Sequence, residues 1–299
     1  GTGATAAPGF TSYTNGGPGT ITAVAPGGTY QATITSGPAA DIQTYSIWVD
    51  LDHDLIYEPN ELLVQAATSG AGVQVTTVNM TIPAEAAVGY TSMRIASGGL
   101  TAPTEPCGYY LFGEAEDYTV VIDNGAPCIP VYSYGPVGGD HIDGFQFNTI
   151  NNMGSGALGG AAYSDYRYSG PDHITSVAPG GTYAATITSG IDGNFDVYAI
   201  WVDLDHDLTF EPTELLAQAA TSGTGVQVTS VNVTIPADAA VGYTTMRVMS
   251  EGYSIAAGPC GSYLFGETED YTVVIDDGAP CIPVYLYGTT QEDFIEDVI

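Results

Sequence analysis

Lysine is absent from this sequence of 299 residues, and the only arginines are three. Against them stand 34 aspartates and glutamates, which gives a formal net charge of −31 at pH 7. A surface this acidic repels phosphate backbones and anionic lipids, so nucleic acid and anionic membrane surfaces are excluded as partners. Self-repulsion at this charge opposes folding unless cations offset it, so we expect a protein exposed to divalent cations or high salt.

Cysteine is scarce as well, and none of the four cysteines lies in a C-x-x-C pair, which argues against zinc. An even number in an acidic chain rich in Tyr and Thr predicts disulfides and an extracellular location. The sequence has no apolar run long enough to span a bilayer and no signal peptide, so we expect no membrane insertion. The opening residues, GTGATAAPGF, are typical of a mature or excised segment.

Helix-forming residues are few, whereas 39 glycines, 18 prolines and many Thr, Val and Tyr favour an all-β fold with frequent turns.

An internal repeat dominates the chain. Trp48 and Trp201 lie 153 residues apart, as do Cys107 and Cys260, and the offset holds without gaps. Each repeat contains eight or nine short strands punctuated by Pro-Gly-Gly and Ser-Gly, which predicts two tandem β-sandwiches of the Ig-like or jelly-roll-like kind.

The repeat is cut at an unusual place. We expect a first sandwich at 1–126 without its opening strands, a complete second sandwich at 127–279, and the opening strands of a further repeat at 280–299. An incomplete sandwich exposes unpaired backbone and apolar core. Either the chain is a slice of a longer one, or the tail of one copy inserts into the head of the next, a head-to-tail contact that builds a filament when it does not close. The sequence leaves open whether the tail acts within one chain or between chains.

The repeat also bears on the cysteines, which allow three pairings. Cys128–Cys260 would join the start and the end of the second repeat, and Cys107 would then pair with an incoming cysteine equivalent to Cys281. The rival pairing joins Cys107 to Cys128 and Cys260 to Cys281. We favour the first pairing.

A strand followed by an acidic loop occurs in both repeats, as WVDLDHDLIYEPNELL and WVDLDHDLTFEPTELL. Carboxylates at positions 1, 3, 5 and 12 are the oxygen ligands that Ca²⁺ takes in a tight loop. The candidate ligands are Asp50, Asp52, Asp54 and Glu61, and in the second copy Asp203, Asp205, Asp207 and Glu214. Position 6, where such loops carry glycine, is Leu55 or Leu208, so we expect a different turn or weaker binding. The alternative is a solvated acidic turn, and we expect the loop histidines, His53 and His206, to point to solvent.

The string FGEAEDYTV, repeated as FGETEDYTV, together with the WVDLDHD loop and the TIPAEAAVGYTSMRI strand pair, resembles the GEVED domain family. The resemblance covers the whole 153-residue period. It implies a structural or adhesive module of large secreted bacterial surface proteins, without a catalytic activity to carry over. The acidic loop of that family usually reads WxDxNxDGxF, so Asp52 keeps an oxygen ligand while Leu55 departs from the pattern.

Arginines and carboxylates recur together in both repeats. In a chain with so few cations, we expect structural ion pairs, because arginine offers a rigid bidentate fork. The residues concerned are Arg94 with Glu114, Glu116 and Asp117, and Arg247 with Glu267, Glu269 and Asp270. Alternatively, Glu116 or Asp117 adds a ligand to the metal loop. Paired carboxylates also suggest glycoside hydrolysis, but nothing marks a cleft around them, so we expect no enzyme and no catalytic residues.

These observations predict a structural subunit or segment of an extracellular filament or surface adhesin. Its partners would be copies of itself, assembled head-to-tail by strand complementation and stabilised by Ca²⁺. The alternative is an extracellular module that binds surface glycans or other cell-surface ligands, although Trp48 and Trp201 lie in apolar strands and are expected in the core.

Overall fold

A computed structural model describes most of the chain, namely residues 9–14, 17–39, 41–125, 128–137, 139–156, 160–191, 195–221, 225–252, 258–278, 282–286 and 295–299. These residues form strands and single 3-10 turns. No helix among them has the length and apolar character needed to cross a bilayer. The all-β prediction with two tandem repeats is therefore confirmed. The chain divides into two compact units, the first formed by Gly1–Asn124 with Ala279–Ile299 and the second by Gly125–Gly278.

The first unit opens with nine strands, rich in β-branched and aromatic residues that favour a pleated, half-buried surface. They are β1 (Phe10–Ser12), β2 (Ile21–Val24), β3 (Thr29–Ser36), β4 (Thr44–Val49), β5 (Leu62–Ala67), β6 (Val75–Thr81), β7 (Gly89–Gly98), β8 (Tyr109–Tyr110) and β9 (Ala115–Ile122). One sheet has the order β5-β4-β7-β9, with β1 and β2 both parallel to β9. The other contains β3 paired antiparallel with β6.

Among its described residues the second unit has twelve strands, and nine of them, β13–β21, repeat this arrangement. Its strands are β10 (Val131–Gly135), β11 (Ile142–Phe147), β12 (Ile150–Met153), β13 (Tyr163–Asp165), β14 (Ile174–Val177), β15 (Thr182–Ser189), β16 (Asp196–Val202), β17 (Leu215–Ala220), β18 (Val228–Thr234), β19 (Gly242–Gly252), β20 (Ser262–Phe265) and β21 (Glu267–Ile275). The larger sheet has the order β17-β16-β19-β21, with β13 and β14 parallel to β21. The smaller sheet has the order β12-β11-β15-β18.

The C-terminal segment returns to the first unit of its own chain. Its strands β22 (Val284–Tyr285) and β23 (Ile295–Val298) pair with β8 and β3. The register Ile295↔Ser36 repeats the register Ile142↔Ser189 of the second unit, 153 residues earlier. The tail thus occupies the places that β10 and β11 fill in the second repeat, and it does so within one chain.

The core of the first unit lies between its two sheets, as in a sandwich. Tyr45 and Ile47 of β4 and Ile95 of β7 pack in one cluster with Ile34 of β3. Ile295 of the tail joins this cluster and is fully buried. Burying one such side chain contributes about 1.5–3 kcal/mol. The tail is therefore part of the core of the first unit.

Candidate metal centres

The acidic loops connect the two strands of an antiparallel pair in each unit. β4 pairs with β5, and β16 pairs with β17. Asp50 follows β4 directly, and Glu61 ends a 3-10 turn, Pro59–Glu61, just before β5. Since antiparallel strands bring the two ends of their connection together, positions 1 and 12 of the loop meet at the same edge of the sheet. The second unit has the same arrangement, with Asp203 and Glu214.

Backbone amides hold the two end carboxylates inside the loop. The Asp50 carboxylate accepts hydrogen bonds from the Asp54 amide (3.2 Å) and the Leu55 amide (3.1 Å). The Glu61 carboxylate accepts from the amides of Leu51 and Glu58, the latter at 3.0 Å. The Glu61 amide donates to the Glu58 carbonyl (3.0 Å), so each of these two residues fixes the other. The carboxylates are therefore oriented before any ligand arrives.

The second loop uses the same contacts. The Asp207 and Leu208 amides donate to the Asp203 carboxylate at 3.2 Å and 3.1 Å. The Glu214 carboxylate accepts from the amides of Leu204 and Glu211, the latter at 2.9 Å. The same hydrogen bonds occur in both loops. The sequence pattern that the loops share therefore determines the position of each carboxylate.

Carboxylate oxygens converge in both loops. All eight predicted ligands belong to groups whose oxygens lie within 4.8 Å of one another, and each loop adds one glutamate. The groups are Asp50, Asp52 and Asp54; Asp52, Glu58 and Glu61; Asp203, Asp205 and Glu214; and Asp205, Asp207 and Glu211. Glu58 and Glu211 were not among the predicted ligands. They stand at position 9 of the twelve-residue window, a position that EF-hand loops also use, so the signal was available.

Burial raises the pKa of the four end carboxyls. The pKa of Asp50 rises to about 7 and that of Asp203 to about 8, chiefly through desolvation. Desolvation likewise raises the pKa of Glu61 to about 8 and that of Glu214 to about 7. Acidic neighbours add to this effect. A divalent cation would offset both the desolvation of the carboxylates and the repulsion between them. Oxygen donors alone form the kind of site that suits Ca²⁺ or Mg²⁺.

Two details of the loops differ from the expectations. Leu55 and Leu208 both adopt φ 67°, so position 6 makes the left-handed turn that glycine usually makes. Of the two alternatives expected for this position, the different turn is wrong and the weaker binding stays a prediction. The loop histidines do not face solvent either. His53 and His206 are each 3% exposed, and burial lowers the pKa of His206 to about 4. Each adopts a positive φ, 65° and 64°, which marks a second left-handed turn in the same loop.

The strained leucine gives a direct test of the loop backbone. A left-handed conformation costs an L-residue about 1–2 kcal/mol, and a β-branched side chain tolerates it least. We expect Leu55→Val to lower the free energy of unfolding of the first unit by about 1–2 kcal/mol. Leu55→Gly should change it by less than about 1 kcal/mol, because relief of strain offsets the greater freedom of the unfolded chain. Urea unfolding measures both, and equal losses for the two variants would contradict the interpretation.

A buried ion pair joins the acidic loop to the strand that carries the acidic string, which runs from Glu114 to Asp117. Arg94 on β7 lies opposite Asp117 on β9, and its Nε and Nη2 donate to the two carboxylate oxygens at 2.7 Å each. Its guanidinium also lies 4.8 Å from the ring centre of Tyr57, which belongs to the acidic loop. Arg247 and Asp270 repeat the pair at 2.8 and 2.7 Å, and Phe210 takes the place of Tyr57.

The two glutamates of the acidic string have other partners. Glu114 accepts a hydrogen bond from the Ile295 amide at 2.6 Å, and Glu116 accepts one from the Tyr118 hydroxyl at 2.7 Å. In the second unit the Tyr271 hydroxyl donates to Glu269 at 2.7 Å, and Glu267 accepts from the backbone of Ile142. None of the acidic groups that could hold a metal among the described residues contains these glutamates. The first glutamate of each string therefore anchors the opening strand of the smaller sheet.

Glycine precedes this glutamate for a steric reason. Gly113 has φ 115°, and a Cβ at this position would lie 2.3 Å from the Ser97 carbonyl oxygen. Tyr285 of the tail closes over the same spot, and its hydroxyl donates to the Glu114 carbonyl (3.0 Å). Tyr132 makes the equivalent contact to the Glu267 carbonyl (3.1 Å) in the second unit.

The favoured disulfide is present in the second unit. Cys128 and Cys260 are bonded with a Cα–Cα distance of 5.2 Å, and Arg247 Nη1 lies 3.2 Å from Cys128 Sγ. Cys107 is disulfide-bonded as well. Its predicted partner is an incoming cysteine equivalent to Cys281, and Cys281 itself lies outside the described residues, so that pairing stays a prediction. Trp48 and Trp201 are buried, as expected of core residues, and do not offer exposed rings for stacking on a sugar.

Comparisons with known proteins place the chain in a family. A search of curated proteins found no match. Among solved structures, red sea bream transglutaminase matches with 6% identity and a TM-score of 0.23 over 84% of this chain, which spans only 30% of the transglutaminase. The calcium binding domain CBD12 of CALX1.1 matches with 8% identity and a TM-score of 0.21, over 86% of this chain and 98% of that one. Neither likeness is strong enough to bear on fold or function. The GEVED domain model matches twice, at residues 44–121 and 197–274, so the chain belongs to the GEVED domain family.

Proposed function

We propose that this chain is a structural subunit of an extracellular assembly, a filament or surface adhesin, in which tail strands close the first repeat and Ca²⁺ stiffens both repeats. One observation carries the proposal. Ile295 is fully buried in the core of the first unit, and its amide donates to Glu114, which is 181 residues away in sequence. A sandwich that takes its edge strand from so remote a segment can take it equally from the tail of another copy.

Exchange of the tail between copies follows the logic of domain swapping. The contacts that seat β23 on β3 are the same whether the strand comes from the same chain or from a neighbour, so exchange loses no contact. The tail follows the second repeat in the sequence, whereas the strand on which it is seated, β3, lies in the first repeat. Exchange therefore links copies head-to-tail. Such a contact builds a ring or a filament, depending on whether it closes. We propose that copies of the chain are the main partners.

Calcium is the cation we assign to the acidic loops. The donors are carboxylates. Backbone amides hold the two end carboxylates of the loop, and in each loop the donors form two overlapping sets of three whose oxygens lie within 4.8 Å of one another. Five acidic residues per loop match the six to eight oxygens of Ca²⁺ once backbone carbonyls and water are added, whereas Mg²⁺ prefers few carboxylates and several waters. The Cys128–Cys260 disulfide supports an oxidising, extracellular location, where Ca²⁺ is abundant.

Catalysis forms no part of this proposal. The carboxylates of the acidic string are occupied by an arginine, a tyrosine hydroxyl and a strand amide, which are structural contacts. Binding of surface glycans remains the alternative function, and a glycan array with the full chain tests it.

Oligomeric state tests the assembly. We expect the full chain, refolded at high concentration with Ca²⁺ under oxidising conditions, to form a ladder of covalent multimers on non-reducing gels and short filaments by electron microscopy. Ile295→Asp should abolish both, because a charge at this buried position cannot seat β23. Leu286→Asp, a matched charge on an exposed tail residue, should leave both intact. Monomers alone at every concentration would refute assembly by strand exchange.

A further inference from the structure

Two glutamates face each other inside the second unit. Glu267 and Glu269 lie two residues apart on β21, so both side chains point to the same side of the strand. This side faces the core, because Tyr271 and Val273, which continue the alternation, belong to the core cluster of the second unit. Glu267 is 2% exposed and Glu269 is 0% exposed. The two carboxyl groups lie within hydrogen-bonding distance of one another.

The basic residues of the chain are engaged elsewhere. The chain has no lysine, and its three arginines form ion pairs with aspartates at 2.7 Å, namely Arg94 with Asp117, Arg167 with Asp165 and Arg247 with Asp270. The groups that could hold a metal among the described residues include neither glutamate of the pair. Two ionised carboxylates buried side by side without a counter-charge are very unfavourable, so the pair has to hold a proton.

Two buried oxygens show where the proton belongs. Glu267 Oε2 and Glu269 Oε1 have no hydrogen-bond partner in the part of the chain that the structure describes, whereas Glu269 Oε2 accepts from the Tyr271 hydroxyl at 2.7 Å. One proton between the two carboxyl groups gives each of these oxygens a partner. Desolvation and the charge of Glu269 raise the pKa of Glu267 to about 9, and desolvation raises the pKa of Glu269 to about 7. Glu267 is therefore the donor and Glu269 the acceptor.

The elements packed around the pair bring further titratable groups towards it. These groups are Asp143 of β11, Asp140 and His141 just before it, Asp196 and Tyr198 of β16, Tyr166, His173 and Tyr271. The charge of Asp143 raises the pKa of both glutamates further. Burial lowers the pKa of His141, so this ring brings no positive charge above pH 7. Ionisation of the pair is thus opposed by its surroundings as well.

We propose that Glu267 and Glu269 share one proton, and that this proton makes the pair a pH-sensitive clamp on β11. Protonated Glu267 donates to Glu269 and accepts from the backbone of Ile142, the first residue of β11. At alkaline pH the proton is lost and the two carboxylates repel each other. Glu269 is held by the Tyr271 hydroxyl, so Glu267 moves and its bond to β11 breaks. The clamp involves neither calcium nor another copy of the chain, so it stands apart from the proposed function.

The clamp makes the second unit less stable as the pH rises. Unfolded glutamates ionise near their ordinary pKa of 4.5, whereas the folded pair keeps its last proton up to about pH 9. Unfolding therefore releases a proton between these two values, and the free energy of unfolding falls over this range as the pH rises. The loss ends above about pH 9, where the folded pair is ionised too.

A comparison with Glu267→Gln tests the clamp. Glutamine keeps the size of the side chain and donates an N–H to Glu269 at every pH, so the pair stays closed. One released proton changes the unfolding equilibrium constant about tenfold per pH unit. From pH 7 to pH 9 this constant should therefore rise at least tenfold more in the native chain than in the variant. Urea unfolding, followed by Trp201 fluorescence in a Trp48→Phe background, measures both. Other acids that titrate in this range, such as Asp203, are present in both chains and cancel. A ratio of the two constants that is the same at pH 7 and pH 9 would overturn the proposal.

Two further variants and a second measurement complete the test. Asp238→Asn removes an exposed carboxylate and should respond to pH as the native chain does. Glu269→Gln removes the other member of the pair and should behave as Glu267→Gln does. Hydrogen exchange reports on the strand itself, because local opening exposes its amides. At pH 9 the β11 amides should exchange at least tenfold faster in the native chain than in Glu267→Gln, and at pH 7 at most about twofold faster. Equal exchange at pH 9 contradicts a clamp on β11.

Discussion

Removal of calcium will lower the thermal midpoint of both units by about 5–10 °C. At a calcium concentration of one hundred times the dissociation constant, binding stabilises each unit by about 2.7 kcal/mol, and each kcal/mol shifts the midpoint of a unit of this size by about 2–4 °C. The physical reason is that the chelator leaves buried, like-charged carboxylates, among them Asp50 and Glu61, without a counter-charge. Differential scanning calorimetry with calcium or with a chelator measures the shift.

Variants locate the effect in the loops. Asp50→Asn with Asp203→Asn keeps, in each loop, one of the two side-chain oxygens that accept loop amides and removes two charges, so the shift with chelator should fall below about 2 °C. Glu85→Ala with Asp238→Ala removes two charges at exposed equivalent positions and should retain the full shift. A full shift in the Asn pair, or no shift in the native chain, would rule out calcium in these loops.

Loss of Arg247 will lower the free energy of unfolding of the second unit by about 3–5 kcal/mol, because removal of one partner leaves the other charge buried and uncompensated. Arg247 and Asp270 are 3% and 1% exposed at their side chains, so water cannot replace the guanidinium. The guanidinium also donates to the Pro259 carbonyl at 2.9 Å. Urea unfolding of Arg247→Met, followed by Trp201 fluorescence in a Trp48→Phe background, measures the loss.

Two further variants separate burial from charge. Arg247→Met with Asp270→Asn removes both charges and should recover more than half of the lost stability. Arg167→Met breaks an ion pair with Asp165 whose side chains are 20% and 44% exposed, and it should cost less than about 1 kcal/mol. A similar cost for Arg167→Met and Arg247→Met would contradict the assignment of the buried pair as a main contributor to stability.

The sequence predicted the features that depend on local spacing. Alternate carboxylates after a buried strand converge because the antiparallel pair β4–β5 closes the loop, and the spacing specifies this directly. Glu58 could have been predicted from its place at position 9 of the same window. The burial of His53 could not, since an acidic loop with a histidine resembles a solvated turn until its two left-handed residues turn the ring inward.

Contacts between distant parts of the chain were harder to predict. The acidic string suggests that three carboxylates share one arginine. Strand alternation instead places Asp117 opposite Arg94 and on the other face of β9 from Glu116. Glu114 binds the Ile295 amide, and no local pattern marks that contact. The 153-residue offset of the repeat predicted where the tail binds. It could not predict whether the strand bound there comes from the same chain or from another copy, because both strands have the same sequence. The fold of the repeats was therefore predictable, whereas the origin of the closing strand was not.

The placement of the closing strand inverts the usual order of folding. Domains in most chains fold from the N-terminus onward as they are synthesised. Here Gly125–Gly278 can fold as soon as it has emerged, whereas the first unit waits for Ile295. Until that moment the first unit presents an open edge and an apolar face to whatever is nearby. If copies exchange tails as proposed, the interval between emergence of the first unit and arrival of Ile295 is the time in which a neighbouring copy would compete for the seat.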